Sequence, residues 1–297
     1  SNVPTILCNE DGYYVNYQSD KYGFRNTNSD WNKKIDILIV GDSYGQGVCI
    51  ENEYDLISII KNKLNLNIIN LSYGGNGPLI EYATLREYLP ILEVKNIFWF
   101  YFEGDDLENL SYESKSNILN QYLLNEHYSQ NLINKQSKID QLAKTIIDKK
   151  VLELGNEEII KKFLKLYYFR NLFISYIKNI KKTEATKFDA KNFNKFKKII
   201  LLSKKLSDEK NSNFYFVYLP EYKRYKISEY SKNKEKIIQF LVEEDIQYLD
   251  IDEILFNKQN FEKYFPLVNK YHYNKDGYKQ ISEILINFLN KQQRWIL

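Results

Sequence analysis

Residues 35–47, IDILIVGDSYGQG, decide how the chain is to be read. In Ile35–Val40 (IDILIV) the apolar residues are nearly continuous, which fits a strand buried on both faces of a parallel sheet. Gly41–Gly47 (GDSYGQG) then turns at glycines into the start of a helix. Working outward, Asn52–Leu64 places Leu56, Ile59, Ile60 and Leu64 on one face of a helix, and Asn67–Leu71 (NIINL) is a second strand. It ends in SYGGNGP, where Pro78 opens a helix at a position that needs no N–H. Lys95–Glu103 (KNIFWFYFE) is a third strand, Asn213–Leu219 (NFYFVYL) a fourth and Ile246–Ile251 (IQYLDI) a fifth. Helices are expected around Lys234–Glu243 and from Asp276 to Lys291. Strands alternating with helices specify an α/β class: a flavodoxin-like, doubly wound, parallel five-stranded sheet. Between Ser111 and Leu206 only helical patterning is found. The expected organisation is therefore one domain over 1–297, with a lead-in over 1–30 and a helical insertion over 111–206 after the third strand.

The composition agrees with a packed domain. The chain of 297 residues is 43% hydrophobic and 27% charged, which excludes a disordered or collagen-like polymer. Its longest apolar run, Ile97–Phe102, is far short of the roughly 18–20 residues that cross a bilayer. Cys8 and Cys49 are too few for a disulfide scaffold or for a zinc site of four thiolates. Only His127 and His272 can supply imidazole chemistry. Methionine is absent and the chain begins Ser1-Asn2, which reads as an excised fragment from which a signal or anchor has been removed. The net charge of +3 is divided: residues 111–200 hold 18 Lys+Arg against 9 Asp+Glu, so the insertion is basic and the flanks acidic. Such an insertion, including the stretch around Lys187–Lys198, reads as a solvated helical face or as a surface for an anionic glycan, lipid headgroup or partner.

Open parallel sheets place their sites at the carboxyl ends of the strands, which directs attention to the loops after Val40, Leu71 and Glu103. Ser43 follows a buried strand at a glycine-flanked turn, an arrangement that presents a hydroxyl and a backbone N–H together. A phosphate loop is the rival reading, but GxxxxGK[ST] is missing and GxGxxG does not fit the spacing. A plain strand–helix turn with a serine cap is the third. Gly74, Gly75 and Gly77 let backbone N–H groups approach a ligand, or simply make a tight turn. Asp105 and Asp106 after Gly104 could be a metal-binding edge or a solvated turn. His272, in HYNKDGY before the last helix, could return to the sheet edge as general base to Ser43. His127 lies in the basic middle and reads as structural or incidental.

Taken in order, these segments resemble the SGNH/GDSL hydrolase family, whose blocks are a Gly-Asp-Ser nucleophile turn, a glycine, an asparagine and a late Asp-x-x-His. The resemblance covers everything but the helical middle. It implies Ser43 as nucleophile, His272 as base, and the N–H groups of Ser43 and Gly75 as oxyanion donors, with no metal or organic cofactor. Two positions depart from the family. Asp105 stands where an asparagine amide should donate to the oxyanion. Asn269 stands where the late acid belongs; it could orient the imidazole but not balance its charge, and Asp250, Asp252 or Glu253 could supply an acid instead. A carboxylate at the oxyanion is repulsive, so Asp105 must be protonated or turned away for catalysis. Asp20–Asn26 (DKYGFRN) is similar to a stretch that membrane-anchored bacterial relatives carry before the catalytic domain, which implies an extracytoplasmic protein anchored in its full length.

The resulting expectation is an SGNH serine esterase acting through a Ser-His dyad on O-acyl, in particular acetyl, esters of carbohydrates, or an O-acyltransferase on the same site. Its partner would be a glycan or small-molecule ester and not nucleic acid. The alternatives are a non-catalytic SGNH-fold glycan-binding or assembly module, and a flavodoxin-like nucleotide binder using Gly41–Gly47.

Overall fold

The computed structural model describes residues 1–7, 14–32, 34–164, 189–225, 231–257, 260–266 and 272–294. Five strands, β3 (Ile35–Val40), β4 (Ile68–Asn70), β5 (Val94–Phe102), β6 (Asn213–Leu219) and β7 (Tyr248–Asp250), form one parallel sheet in the order β4-β3-β5-β6-β7. The parallel sheet is what the alternation of strands and helices predicts, and its order is the flavodoxin-like one. The strand order reverses beside β3, so the loop after Val40 lies at the topological switch point. Two short strands precede the sheet: β1 (Pro4–Ile6) pairs antiparallel with β2 (Asn16–Gln18). Three residues are too few for a readable alternation, so the sequence carries no signal for them.

The central strand explains its own composition. From Asn96 to Phe102 every β5 residue is buried, and its two faces serve two separate layers. Phe98, Phe100 and Phe102 face a cluster that includes Ile37, Ile39, Val217, Ile60, Ile281 and Leu285. These come from the sheet, from helix α2 (Leu56–Leu64) and from the C-terminal helix α9 (Lys275–Arg294). Tyr101 faces the opposite layer, where it packs with Phe196 of α7 (Ala190–Glu209) and with Phe216. Phe196 in turn meets Phe240 of α8 (Ser231–Glu243). Helix α2 begins later than its apolar spacing suggests because Asp55 caps it, accepting from the Ser58 N–H at 2.8 Å.

Helix α3 (Pro78–Tyr88) starts at Gly77, which has no side chain to cap it. The carboxylate of Glu113, at the end of α4 (Asp106–Glu113), does so from outside, accepting from Gly77 N at 2.6 Å and Leu79 N at 2.9 Å. Beyond α5 (Asn117–Leu124) the chain divides into two compact units, 1–130 with 189–297 and 131–188. The described part of the second unit is a short 3₁₀ turn followed by helix α6 (Gln136–Leu164), on which Leu142, Ile146 and Ile147 are exposed. Of the lysines around 187–198, Lys187 lies outside the described residues. Lys198 Nζ on α7 donates to the Leu123 carbonyl at 3.1 Å. No helix of the described residues is long and apolar enough to cross a membrane.

Candidate active site

The strand β3 delivers Val40 to the sheet edge, and the chain then makes a single helical turn, α1 (Ser43–Gln46). Asp42 caps it, accepting from Tyr44 N at 2.8 Å, and Gly47 closes it in the left-handed conformation. Of the seven residues from Gly41 to Gly47, only Ser43 is not buried. Gly45 is required by close approach: a Cβ there would lie 2.4 Å from Ser72 Oγ. His272 Nε2 lies 3.0 Å from Ser43 Oγ, so the two residues that the sequence places 229 positions apart form a hydrogen-bonded pair. Asp42 Oδ2 is also near the hydroxyl, at 3.4 Å.

The residues around His272 fix its ring to the scaffold. Tyr273 is buried and donates its hydroxyl to the Pro220 carbonyl at 2.7 Å. Asn274 donates its amide to the Lys263 and Phe265 carbonyls and accepts from Gly277 N. Tyr278 donates its hydroxyl to the Tyr44 carbonyl at 3.1 Å, tying the last helix back to the nucleophile turn. Tyr44 stacks on Phe102 and lies against the His272 ring, with centroids 4.9 Å apart. The other ring nitrogen, Nδ1, faces Cys49 Sγ at 3.8 Å.

The glycine loop after β4 is held in the same way. Asn70 donates to the Gly45 carbonyl at 2.8 Å and accepts from Ser72 N. Gln46 Oε1 accepts from Gly74 N at 2.8 Å. Gly75 sits at φ +84, and its N–H makes no hydrogen bond among the described residues. The Ser43 N–H, as the first of a helix, has no intrahelical acceptor. Neither N–H is thus committed to another group among the described residues.

Asp105 stands at the N-cap of α4 without capping it. One oxygen of each of Asp42, Asp105 and Asp106 lies within 4.8 Å of the others, and this is the group among the described residues whose ligands could hold a metal ion. Burial, then the charge of Asp105, pushes the Asp42 carboxyl up to about 7, against the pull of the Tyr44 N–H and His272. Burial and then the charge of Glu221 raise Asp105 itself. Asp106 is raised well above the carboxylate range by burial and by Glu81, Asp42 and Asp105. Glu81 behind them is fully buried, its two oxygens have no hydrogen-bond partner, and burial raises it too.

The late acid is not found at Asp252. Its carboxylate accepts from Arg224, Tyr225 and Lys234. Burial opposes its ionisation, but those hydrogen bonds and the Arg224 charge outweigh burial and hold it low. Asp250 pairs with Lys234 at 2.6 Å and accepts from Glu253 N. Asp250 and Asp252 are thus joined through Lys234, and neither they nor Glu253 makes a described contact with His272. Asn269 lies outside the described residues. His127 is exposed on the turn after α5.

Sequence reasoning passed over the residues that hold the nucleophile turn. Arg25 donates to the carbonyls of Gln46, Gly47 and Ile50 and to Asn52 Oδ1, and lies 3.5 Å from Asp55. Asn26 pairs reciprocally with the Asn70 backbone, donating at 3.0 Å and accepting at 2.7 Å. Asp20 organises the strap, accepting from Tyr22 N, Phe24 N, Asn26 and Trp31 Nε1. DKYGFRN is thus a clamp on the site.

No family profile and no curated protein matches the sequence. Solved structures do. A lipolytic protein of the G-D-S-L family from Desulfitobacterium hafniense is similar over 86% of this chain and 99% of its own, with 10% identity and a TM-score of 0.49. A psychrotrophic esterase from Pseudoalteromonas sp., in a structure inhibited by monoethylphosphonate, is similar over 87% and 98%, with 13% identity and a TM-score of 0.46. A lipase/acylhydrolase from Enterococcus faecalis is similar over 87% and 97%, with 10% identity and a TM-score of 0.46.

Proposed function

We propose that the chain is an SGNH-type serine esterase acting on O-acyl, in particular acetyl, esters of carbohydrates. The observation that carries this reading is the 3.0 Å contact between His272 Nε2 and Ser43 Oγ at the carboxyl edge of β3. His272 takes the hydroxyl proton as Ser43 Oγ attacks the ester carbonyl. The Ser43 and Gly75 N–H groups bind the developing oxyanion. On collapse His272 returns the proton to the leaving alcohol, and water then enters by the same path in reverse to free the acid.

A cavity of about 450 Å³ lined by Tyr14, Tyr54, Asn16, Asn52, Glu51 and Lys275 offers polar side chains that a glycan's hydroxyls would engage, and neither Ser43 nor His272 lines it. Lys275 is three residues from His272 and pairs with Glu51. A second reading, a non-catalytic glycan-binding module on the same fold, is favoured by the Asp105 carboxyl in place of an amide. Release of acetate from an O-acetylated oligosaccharide separates the two. The esterase reading expects hydrolysis that disappears in Ser43→Ala. The module expects binding of acetylated and deacetylated glycan with no acetate released by either protein.

A further inference from the structure

Four carboxyls gather beside the nucleophile turn without a basic partner. Asp42, Glu81 and Asp106 are buried, and Asp105 lies nearer the surface. Among the described residues no Lys or Arg pairs with any of the four. Their hydrogen bonds are few. Asp42 accepts from Tyr44 N and lies 3.4 Å from the Ser43 hydroxyl, and Asp106 Oδ2 accepts from Phe102 N at 2.8 Å. Asp105 Oδ1, Asp106 Oδ1 and both Glu81 oxygens are buried and have no hydrogen-bond partner among the described residues. A buried carboxylate in that condition has lost its water, and nothing described replaces it.

Two observations point to a cation. The first is spacing: one oxygen of each of Asp42, Asp105 and Asp106 lies within 4.8 Å of the other two. Oxygens sharing one Ca²⁺ sit at about 2.3–2.6 Å from it and so at most about 5 Å from one another; on Mg²⁺ the limit is about 4 Å. The second is Glu81 of α3, which lies outside that group. It is 1% exposed, both its oxygens lack a partner, and its charge acts on Asp106 more strongly than any other. The charge felt most by Glu81 is in turn that of Asp42. Glu108, Glu113 and Glu221 add negative charge around the four. The Asn109 amide and His272 act against this on Asp105, and His272 on Asp42 as well, but a neutral imidazole, the form that serves as a base, brings no countercharge.

We propose that Asp42, Asp105 and Asp106 bind one hard divalent cation of the Ca²⁺ or Mg²⁺ kind, with the Glu81 charge behind them strengthening its hold. Oδ1 of Asp105 and Oδ1 of Asp106 are the open ligand atoms, and water completes the shell, as is usual for such ions. Asp105, the least buried of the four, marks the way in. The cation stands beside Ser43, where it offsets the carboxylate charge that would repel an oxyanion. Protons compete for the same oxygens, so the metal-free protein and the loaded one are two states of one site. Binding of the ion does not depend on the esterase reading.

The test is calorimetric titration of the chelator-treated full chain with CaCl₂ or MgCl₂, together with its thermal midpoint. One saturable site and a midpoint that climbs with ion concentration are expected for at least one of the two ions. Asp106→Asn keeps an oxygen for Phe102 N and removes the open carboxylate. It should abolish both the binding and the climb, yet unfold no earlier than wild type in chelator, because a like charge has gone. A merely structural Asp106 would instead show a lower midpoint with or without the ion. Asp105→Asn, at the less buried position, answers the same question if Asp106→Asn does not fold. Glu81→Gln, outside the ligand group, should weaken binding about 10- to 100-fold without abolishing it. The inference is overturned if neither ion gives saturable heat up to about 10 mM, tenfold above the weakest natural calcium modules. Binding that is unchanged in the aspartate variants overturns it equally, since the ion would then sit elsewhere. No ester enters this measurement, so a chain that binds the ion and hydrolyses nothing keeps the site and loses only the esterase reading.

Discussion

At the scale of single residues the site combines a conventional pair with one unconventional neighbour. On the proposed reading Ser43 and His272 act through one proton transfer, so Ser43→Ala and His272→Ala should each remove essentially all hydrolysis of a short aryl ester, and the double variant should be no worse than either. Single-variant rates that multiply in the double variant would mean that the two do not act as a unit. Asp105 is the unconventional neighbour. Burial and the Glu221 charge raise its pKa, which favours the neutral carboxyl, a donor, over the carboxylate, which repels an oxyanion. Activity that depends on the neutral form is present at low pH and is lost as pH rises through the Asp105 pKa. Asp105→Asn keeps a donor at every pH, so it should abolish that alkaline fall and leave the acid side little changed. Superimposable profiles of kcat/KM against pH would place residue 105 away from the oxyanion.

At the scale of elements, the strap before β3 is what holds the nucleophile turn in place. The Arg25 guanidinium is buried against three carbonyls and Asn52, beside the buried Asp55. Arg25→Ala leaves those acceptors without a donor and Asp55 without its cation, a loss of about 3–5 kcal/mol by analogy with other broken buried pairs. Arg25→Lys should recover only part of it, because one ammonium cannot reproduce the planar fork. Urea denaturation measures both; an Arg25→Ala protein as stable as the wild type would show the strap to be dispensable. The elements also show what the sequence could and could not convey. Strands β3, β5 and β6 were legible because they are buried on both faces and so read as continuous apolar runs. The approach of His272 to Ser43 was legible because a glycine-flanked turn after a strand and a histidine before the last helix each leave local patterns. The Arg25 clamp, the Gln46 and Asn70 bonds and the Cys49 contact are pairings across 21 to 223 positions of polar residues with no periodicity to betray them. The three acids after β7 looked interchangeable as partners for His272, and only three dimensions show Arg224, Tyr225 and Lys234 occupying Asp252.

At the scale of the whole molecule, the carboxyls of Asp42, Glu81 and Asp106 behind the nucleophile couple its stability to pH. All three have folded-state pKa values above those of an unfolded chain, and that of Asp42 is about 7. Such groups hold protons in the folded state that the unfolded chain releases. Their contribution is therefore fully present below the ordinary carboxylate range and is lost as pH rises through the folded values. The urea midpoint should accordingly fall between pH 5 and pH 8, and Glu81→Gln should flatten that fall. A midpoint that rises over the same interval would mean that the buried acids are ionised in the native protein. The central claim, that this fold presents an activated serine, is tested most directly by a fluorophosphonate probe with peptide mapping at neutral pH. Wild-type protein should carry the label on Ser43, and His272→Ala, folded but without a base, should carry essentially none. An unlabelled wild type, or label on Ser43 that persists undiminished in His272→Ala, would contradict the account.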